Sequence, residues 1–578
     1  MDAIIGTGMI SKREYEIIGE KNISVPMSDG ISIDVDIFRP DGDGKFPVLL
    51  GISAFNKDIQ SKRVWPAATR TRRIQGVPDA CLEAGPMDFF VRRGYVHIIG
   101  SIRGTGLSGG VYNYLSPREV KDVYEVIEWA AEQPWCNGNV GMIGLGYFAA
   151  MHTLVAALKP PHLKVITPIG GFMDNYREFW YPGGILQKGF ARWLASLVNF
   201  DIHAQESELR NELGDEGYKK AIDLALQDKD LNGAPEIIEA LKNPDQMGNA
   251  PYLDLILHPT DGPYWRERDI DYRTIEVPIY LGAAAHRPGP FNHWQEIKSP
   301  KKLIFFPPTY TDRPFYQISW EQLRWFDFWL KGIDTGIMDE PPVKMFVQGS
   351  DDWIMAEDFP IPGTRWIPFN LHENKSLCEI EPWPEAASAS YDDSPENRGW
   401  LQYYSAPLVE NTEMAGPIVL NLYASCRGTD MNFFISLWDV DAEGEEKRLS
   451  QGYLKASHRE LDEERSKPWL PYHTHTNPQP LKPGKIYSFA ISLNPTANLF
   501  KAGHRIMLKI SSADDKPKDL YQVGHEHLIS QTPNTITIYH NAEYPSHLLL
   551  PITKGNIVGT YVSGGDISLK SREFMKNE

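Results

Sequence analysis

The sequence has little cysteine and no long apolar run. Cys81, Cys136, Cys378 and Cys426 are scattered over 578 residues, without a CxxC pair or a histidine at metal-ligand spacing. This argues against a zinc site and a disulfide framework. No uncharged apolar stretch is long enough to span a membrane, and residues 1–12 lack the basic and apolar parts of a secretory signal. We expect a soluble, cytoplasmic protein with no membrane contact, no metal and no cofactor.

Positive charge is also in short supply. The 58 lysine and arginine residues are outnumbered by 76 aspartate and glutamate residues, so the formal net charge is -18. Nucleic acids are bound through clustered basic side chains, and this balance argues against them as partners.

With 42% hydrophobic residues, a chain of this length predicts two or three domains. The expected partner is a small-molecule substrate, and a homo-oligomer stays open.

The first part of the chain has the pattern of a sheet covered on both faces. Residues 15–38 alternate apolar and polar side chains around a short turn and predict a β-hairpin. Residues 46–52 and 95–99 are continuous apolar runs, which buried strands of a parallel sheet require. Ser116 begins a capping box that opens a helix. Because strands and helices alternate, the fold class is α/β with a mostly parallel sheet.

The central motif is a strand, a sharp turn and a helix at residues 138–150. The apolar run at 140–143 fits a buried strand, and residues 148–158 have a helical pattern. This is the outline of a nucleophile elbow, which in α/β-hydrolases reads G-x-S-x-G and raises a serine to attack a carbonyl. Gly146 takes the serine position here, so the expected nucleophile has no side chain.

The later segments predict two further parts. Residues 161–261 are helical in pattern and rich in aromatic and charged residues, and we interpret them as a helical cap inserted into an α/β core at 1–160 and 262–342. From 343 to 578 the apolar residues alternate with period two between proline, glycine and asparagine turns. Many short strands without helices predict a jelly-roll β-sandwich.

Several segments together resemble the cocaine esterase and X-Pro dipeptidyl-peptidase group of α/β-hydrolases. They lie before the elbow at 126–129 and 133–138, in the core at 325–332, and in the C-terminal part at 503–512. The likeness covers nearly the whole chain. It implies an α/β-hydrolase core with an inserted helical cap, and a C-terminal β-sandwich that walls one side of the active site.

The resemblance also implies positions for the hydrolytic side chains. Members use an elbow serine, an aspartate and a histidine after later strands, and a tyrosine hydroxyl in the oxyanion hole. Carried over one position at a time, these fall on Gly146, near Arg287, near Thr311, and on Phe55. Only the backbone N–H of Tyr147 remains as an expected oxyanion donor. Because the nucleophile, the acid and the base are not found at these positions, we expect the serine triad to be degenerate. Losing a nucleophile or its base costs roughly 10⁴ to 10⁶ in rate, which argues against hydrolysis by a serine triad.

Other side chains in the same loops offer acid/base chemistry. His286 and Asp312 stand in the two triad loops with their residue types exchanged, and we predict that they form an acid/base pair. The alternative is a hydrogen-bonded loop histidine and a turn-capping aspartate. Tyr147 and Tyr310 would donate hydrogen bonds to a carbonyl or enolate oxygen, with packing as the alternative role.

Predicted substrate contacts come from the loops and the cap. Arg287 would hold a substrate carboxylate bidentately, unless it is a surface arginine. Trp180, Tyr181 and Phe55 would form apolar walls, although a helical cap also needs aromatic side chains for its own core.

The favoured function is an enzyme acting on an organic small molecule. Enclosure and acid/base groups would replace Ser-triad hydrolysis by chemistry of the lyase, isomerase or cyclase type. Two alternatives stay open. One is an ester or amide hydrolase that uses a water activated by His286, and the other is a catalytically silent binding protein.

Overall fold

The computed structural model describes residues 9–55, 57–60, 83–171, 174–189, 202–283, 289–307, 316–515 and 526–555. The first sheet contains β1 (Ile17–Pro26), β2 (Ser32–Pro40), β3 (Phe46–Ser53), β4 (Val96–Ser101), β5 (Cys136–Met142), β6 (Leu163–Ile166), β7 (Ile279–Ala283), β8 (Lys301–Phe305), β9 (Val343–Val347) and β10 (Asp352–Ala356). Their spatial order is β1-β2-β4-β3-β5-β6-β7-β8-β9-β10. Strands β3 to β9 are parallel, and β1–β2 is the predicted antiparallel hairpin.

Helices cover both faces of this sheet and form the cap. They are α1 (Met87–Val91), α2 (Pro117–Ala131), α3 (Tyr147–Ala157), α4 (Glu208–Ala225), α5 (Pro235–Lys242), α6 (Asn249–Ile256), α7 (Pro263–Arg266), α8 (Gly289–Asn292) and α9 (Tyr316–Lys331). The N-cap of α2 is Ser116, whose Oγ accepts a hydrogen bond from the Glu119 N–H, as the capping box predicts. A π-helical turn at Tyr176–Trp180 and helices α4 to α7 lie between β6 and β7 and form the cap. Within the described part of the chain, no helix is long and apolar enough to cross a membrane.

The second sheet is antiparallel and forms the β-sandwich. It contains β11 (Arg365–Leu371), β12 (Leu377–Cys378), β13 (Ser388–Ser394), β14 (Asn397–Arg398), β15 (Trp400–Tyr404), β16 (Thr412–Cys426), β17 (Asn432–Val440), β18 (Glu446–Lys455), β19 (Tyr487–Phe500), β20 (Arg505–Ser511), β21 (Asn534–Tyr539) and β22 (His547–Lys554). The main path runs β12-β11-β22-β16-β19-β18-β17-β20-β15. Its inward residues, such as Leu420, Ile491 and Leu508, form a core separate from that of the first sheet.

The structure corrects two of the predicted domain boundaries. Strand β6 lies inside the segment assigned to the cap at 161–261, yet it pairs with β5 and β7 in the core sheet. It has only four residues and contains Lys164, so its apolar pattern is too short to recognise. Strands β9 and β10 lie inside the segment assigned to the sandwich at 343–578, but β9 pairs with β8. The first sheet therefore ends at Ala356.

Candidate active site

The turn between β5 and α3 has the geometry of a nucleophile elbow. Gly146 has φ 61° and ψ −117°, a conformation that side chains with a Cβ rarely adopt. Among the described residues, a Cβ built on Gly146 would meet no heavy atom within 4 Å apart from those of its chain neighbours. At Gly144, in contrast, a Cβ would lie 2.4 Å from the Phe148 Cβ, so only glycine allows the helix to pack this close. The turn has the shape of an elbow, and the described residues leave the position of a Gly146 side chain unfilled.

Tyr147 begins α3 directly after the turn. Its backbone N–H is at the first helical position, has no acceptor within the helix, and is the donor that a developing oxyanion would use. The side chain is buried, and its hydroxyl accepts a hydrogen bond from the Leu115 N–H at 3.3 Å. Burial raises the pKa of Tyr147 well above its ordinary value. In this arrangement the Tyr147 side chain is packed inside the protein.

A row of buried aromatic rings backs the elbow. The Phe55 ring lies 5.7 Å from Tyr147, Tyr147 lies 5.7 Å from Tyr114, and Tyr114 lies 5.4 Å from Trp180, all edge to face. The structure thus brings Phe55 and Trp180, two predicted substrate contacts, to the elbow as its buried backing. Sequence reasoning missed Tyr114, which joins the cap to the core. Its position two residues after a buried Tyr112, just past the glycine-rich loop, was the available signal.

Tyr181 is held inside the cap. Its ring stacks on Tyr176 at 5.2 Å, and its hydroxyl bonds the carbonyls of Leu255 and Ile256 at 3.2 and 3.1 Å. These carbonyls lie at the end of α6, where helical carbonyls lack partners within the helix. These contacts favour a packing role for Tyr181 in the core of the cap over the predicted contact with substrate.

A buried lysine anchors the loop after β3, which carries Phe55. Lys57 Nζ lies 2.8 Å from Asp36, 3.2 Å from Asp34 and 2.6 Å from the Asn22 amide oxygen, and its side chain is 1% exposed. Burial opposes the charge, but the hydrogen bond and charge of Asp36, with Asp34, outweigh it and raise the pKa of Lys57. The ion pairs of Lys57 with Asp34 and Asp36 therefore hold this loop against β2.

Arg177, in the π-helical turn, ties the cap to the β-sandwich. Its guanidinium lies 3.0 Å from Asp174 and 2.7 Å from Asp261, at the two ends of the cap. It also donates to the carbonyls of His473 and Thr474, in the sandwich, at 3.0 and 2.9 Å. Burial opposes the charge, but the carboxylates, Asp174 first, outweigh it and raise the pKa of Arg177. One side chain thus joins three parts of the chain.

The remaining predicted site residues lie outside the described residues. They are His286, Arg287, Tyr310, Thr311 and Asp312. Strands β7 and β8 are parallel to each other and belong to the same sheet as β5, so their carboxyl ends lie at the same edge of the sheet as the elbow. The pairing of His286 with Asp312 stays a prediction. Among the described residues, no group of three or more His, Cys, Asp or Glu side chains is arranged to hold a metal ion.

Comparisons with known proteins agree with this architecture. Residues 29–310 match the X-Pro dipeptidyl-peptidase (S15 family) model, and residues 335–549 match the X-Pro dipeptidyl-peptidase C-terminal non-catalytic domain. Cocaine esterase of Rhodococcus sp. (strain MB1 Bresler) is 26% identical over 602 residues, which cover 92% of this chain and 98% of that protein. A putative Xaa-Pro dipeptidyl-peptidase of Bacillus cereus is 22% identical over 537 residues, covering 84% of this chain and 83% of that protein.

The solved structures extend the same likeness to three dimensions. The crystal structure of a CocE/NonD family hydrolase from Staphylococcus aureus superposes with a TM-score of 0.78 at 27% identity, covering 93% of this chain and 94% of that one. The match includes the core, the cap and the sandwich together, and it confirms the predicted fold.

Proposed function

This chain is a member of the cocaine esterase and X-Pro dipeptidyl-peptidase group of α/β-hydrolases, and from that premise we propose that it hydrolyses an ester or amide of a small organic molecule with water as the direct nucleophile. The matched relatives are named as an esterase, a peptidase and a hydrolase. They favour hydrolysis, the alternative in the sequence analysis, over the lyase, isomerase or cyclase chemistry first preferred there.

The observation that carries the proposal is the open elbow. Gly146 keeps the strained turn, and within the described part of the chain no heavy atom beyond its chain neighbours lies within 4 Å of the place that a Cβ would take. A water molecule placed there would stand beside the backbone N–H of Tyr147, which begins α3. The substrate carbonyl oxygen would accept a hydrogen bond from that N–H while the water attacks the carbonyl carbon.

The proposed reaction has one covalent stage. His286, oriented by Asp312, takes a proton from the water while the water oxygen bonds to the carbonyl carbon. The tetrahedral oxyanion would be held by the Tyr147 N–H. As it collapses to the carboxylic acid, the C–O or C–N bond to the leaving group breaks, and His286 gives the proton to the leaving oxygen or nitrogen. No acyl-enzyme forms. General base catalysis contributes about 10² to 10⁴ in rate, so we expect a slower enzyme than a serine esterase.

A panel of aryl and alkyl esters and amides tests this function, combined with a serine-reactive fluorophosphonate probe. We expect turnover without a burst, no covalent labelling, and one ¹⁸O atom from labelled water in the acid product of a single turnover. In His286→Ala and Asp312→Asn, kcat should fall by about 10² to 10⁴.

Two results would overturn the proposal. Stoichiometric labelling of the wild-type protein would reveal a side-chain nucleophile, and full activity in His286→Ala would remove the base. Ligand binding without turnover across the panel would instead favour the silent binding protein.

A further inference from the structure

A buried ion pair stands at the root of the cap, between the π-helical turn and α8. Glu178 Oε1 lies 3.6 Å from His293 Nε2, and the two side chains are 3% and 4% exposed. The other ring nitrogen of His293, Nδ1, lies 3.0 Å from Glu296 Oε2. An imidazole that faces a carboxylate at each nitrogen carries both protons, so this histidine is a cation.

The groups around His293 support that charge. Asp174 adds negative potential, and the centroid of the Tyr272 ring lies 4.2 Å from that of the imidazole. Burial opposes the cation, but the hydrogen bonds and charges of Glu178 and Glu296 outweigh it and raise the pKa of His293 to about 10. At neutral pH the residue is a fixed charge and does not act as a proton acceptor.

Glu178 is wedged against the beginning of α8. A Cβ on Gly289 would lie 2.2 Å from Glu178 Oε2, so only glycine lets the helix approach the carboxylate this closely. Asn292 Nδ2 also lies 3.5 Å from Glu178 Oε1. Helix α8 is the first described element after β7 and contacts that strand, so its place is coupled to the position of β7.

The same cluster reaches the elbow helix. Tyr272, whose ring covers His293, begins a short 3₁₀ turn (Tyr272–Thr274) that contacts α3. A continuous series of contacts thus runs from α3 through Tyr272, His293 and Glu178 to Gly289. It connects the element that begins at the elbow with the element that follows β7.

We propose that Glu178 and His293 are positioning residues, whose ion pair holds α8 at a fixed place relative to α3 and so aligns the carboxyl end of β7 with the elbow. Neither side chain touches the reacting atoms. The inference rests on the proposed hydrolysis, because the alignment matters for rate only if the chemistry takes place at this edge of the sheet. A misplacement of about 1 Å can cost about 10² in rate.

The first test compares Glu178→Gln and His293→Gln with His162→Gln. His162 provides a matched control because it pairs with Glu128 at 2.7 Å on the surface, with side chains 41% and 25% exposed. With the ester found in the panel, we expect kcat to fall by about 10² in the two cap-root variants with KM changed less than about twofold, and no change in the control. Unchanged kcat in folded Glu178→Gln would overturn the proposal.

The second test uses the close contact at Gly289. Gly289→Ala should lower kcat as Glu178→Gln does, because the new methyl group displaces the carboxylate. In the Glu178→Ala background the methyl group has room, so Gly289→Ala should lower kcat no further. An equal loss in both backgrounds would show that the glycine acts independently of Glu178, and would refute the pair.

A third measurement needs no substrate and separates this inference from the proposed function. The N–H of His293 donates to the Gly289 carbonyl at 3.1 Å, and the N–H of Glu296 donates to the His293 carbonyl at 3.0 Å. Both amides should exchange at least about tenfold faster in Glu178→Gln, and not in His162→Gln. If no substrate is hydrolysed and the two amides nevertheless exchange faster, the proposed hydrolysis is refuted while the structural role of the ion pair stands. If the exchange is unchanged, the positioning proposal fails.

Discussion

Returning a hydroxyl to the elbow tests the site most directly. Gly146→Ser adds a Cβ that would meet no heavy atom of the described residues within 4 Å apart from its chain neighbours, so we expect the cost to be mainly conformational. A non-glycine residue held at φ 61° and ψ −117° is strained by about 1–3 kcal/mol, a cost that elbow serines bear in active hydrolases. We expect the variant to fold with a slightly lowered melting temperature.

The chemical gain should exceed this cost. A serine activated by a base contributes about 10⁴ to 10⁶ in rate, and the base proposed to activate water would stand within reach of the new hydroxyl. The assay is stoichiometric labelling by a fluorophosphonate, followed by intact mass, together with a burst in ester hydrolysis. Gly146→Ala is the matched control, because it carries the same backbone strain without a hydroxyl and should not be labelled.

The outcomes separate the mechanisms. Labelling of Gly146→Ser alone supports a base beside the turn. If folded Gly146→Ser is not labelled, no base reaches this position, and water activation at the same place is refuted with it. If Gly146→Ala is labelled as well, the nucleophile is another side chain, and the reasoning from the open elbow is wrong.

Four further predictions follow from buried contacts. Lys57→Met should lower the free energy of unfolding by about 3–5 kcal/mol, measured by urea denaturation, because it leaves Asp34 and Asp36 buried without their cation; a loss below about 1 kcal/mol would contradict this. Arg177→Met should increase proteolysis within the cap before global unfolding, and equal cleavage of the wild-type protein would refute that role. Ser116→Ala should cost about 1 kcal/mol by the same denaturation assay, through loss of the α2 cap. Since the pKa of His293 is raised to about 10 when folded, its contribution to stability is full below its unfolded pKa near 6.5 and is lost as pH rises towards 10; His293→Gln should remove that alkaline decrease in melting temperature.

Much of the fold was predictable because its signals are local. Continuous apolar residues identified β3 and β4, and the capping residues of α2 fixed its beginning within one turn. The missed strand β6 has four residues after two prolines, and β9 and β10 have the same alternation as the sandwich strands that follow. Pattern alone cannot tell which sheet a strand joins, because hydrogen-bond partners are distant in sequence.

The candidate site was predictable only where a motif marks it. The elbow was found from its glycines, and its turn angles and open space agree with that interpretation. Tyr114, Arg177 and His293 were not predicted as site residues because each has at least one partner remote in sequence, as Arg177 has in Thr474, 297 positions away. Trp180 and Tyr181 had the right residue type for an apolar wall, yet their burial depends on how the whole cap folds.

The three-way contact of Arg177 limits how this protein can be divided. A fragment ending at residue 356 would keep the guanidinium and both carboxylates but lose the backbone oxygens that complete its shell. Transplanting a foreign cap, as one would to change substrate range, would therefore require the 472–475 segment of the sandwich to travel with it. In domain-swapping experiments, the cap and the 472–475 segment therefore have to be exchanged together.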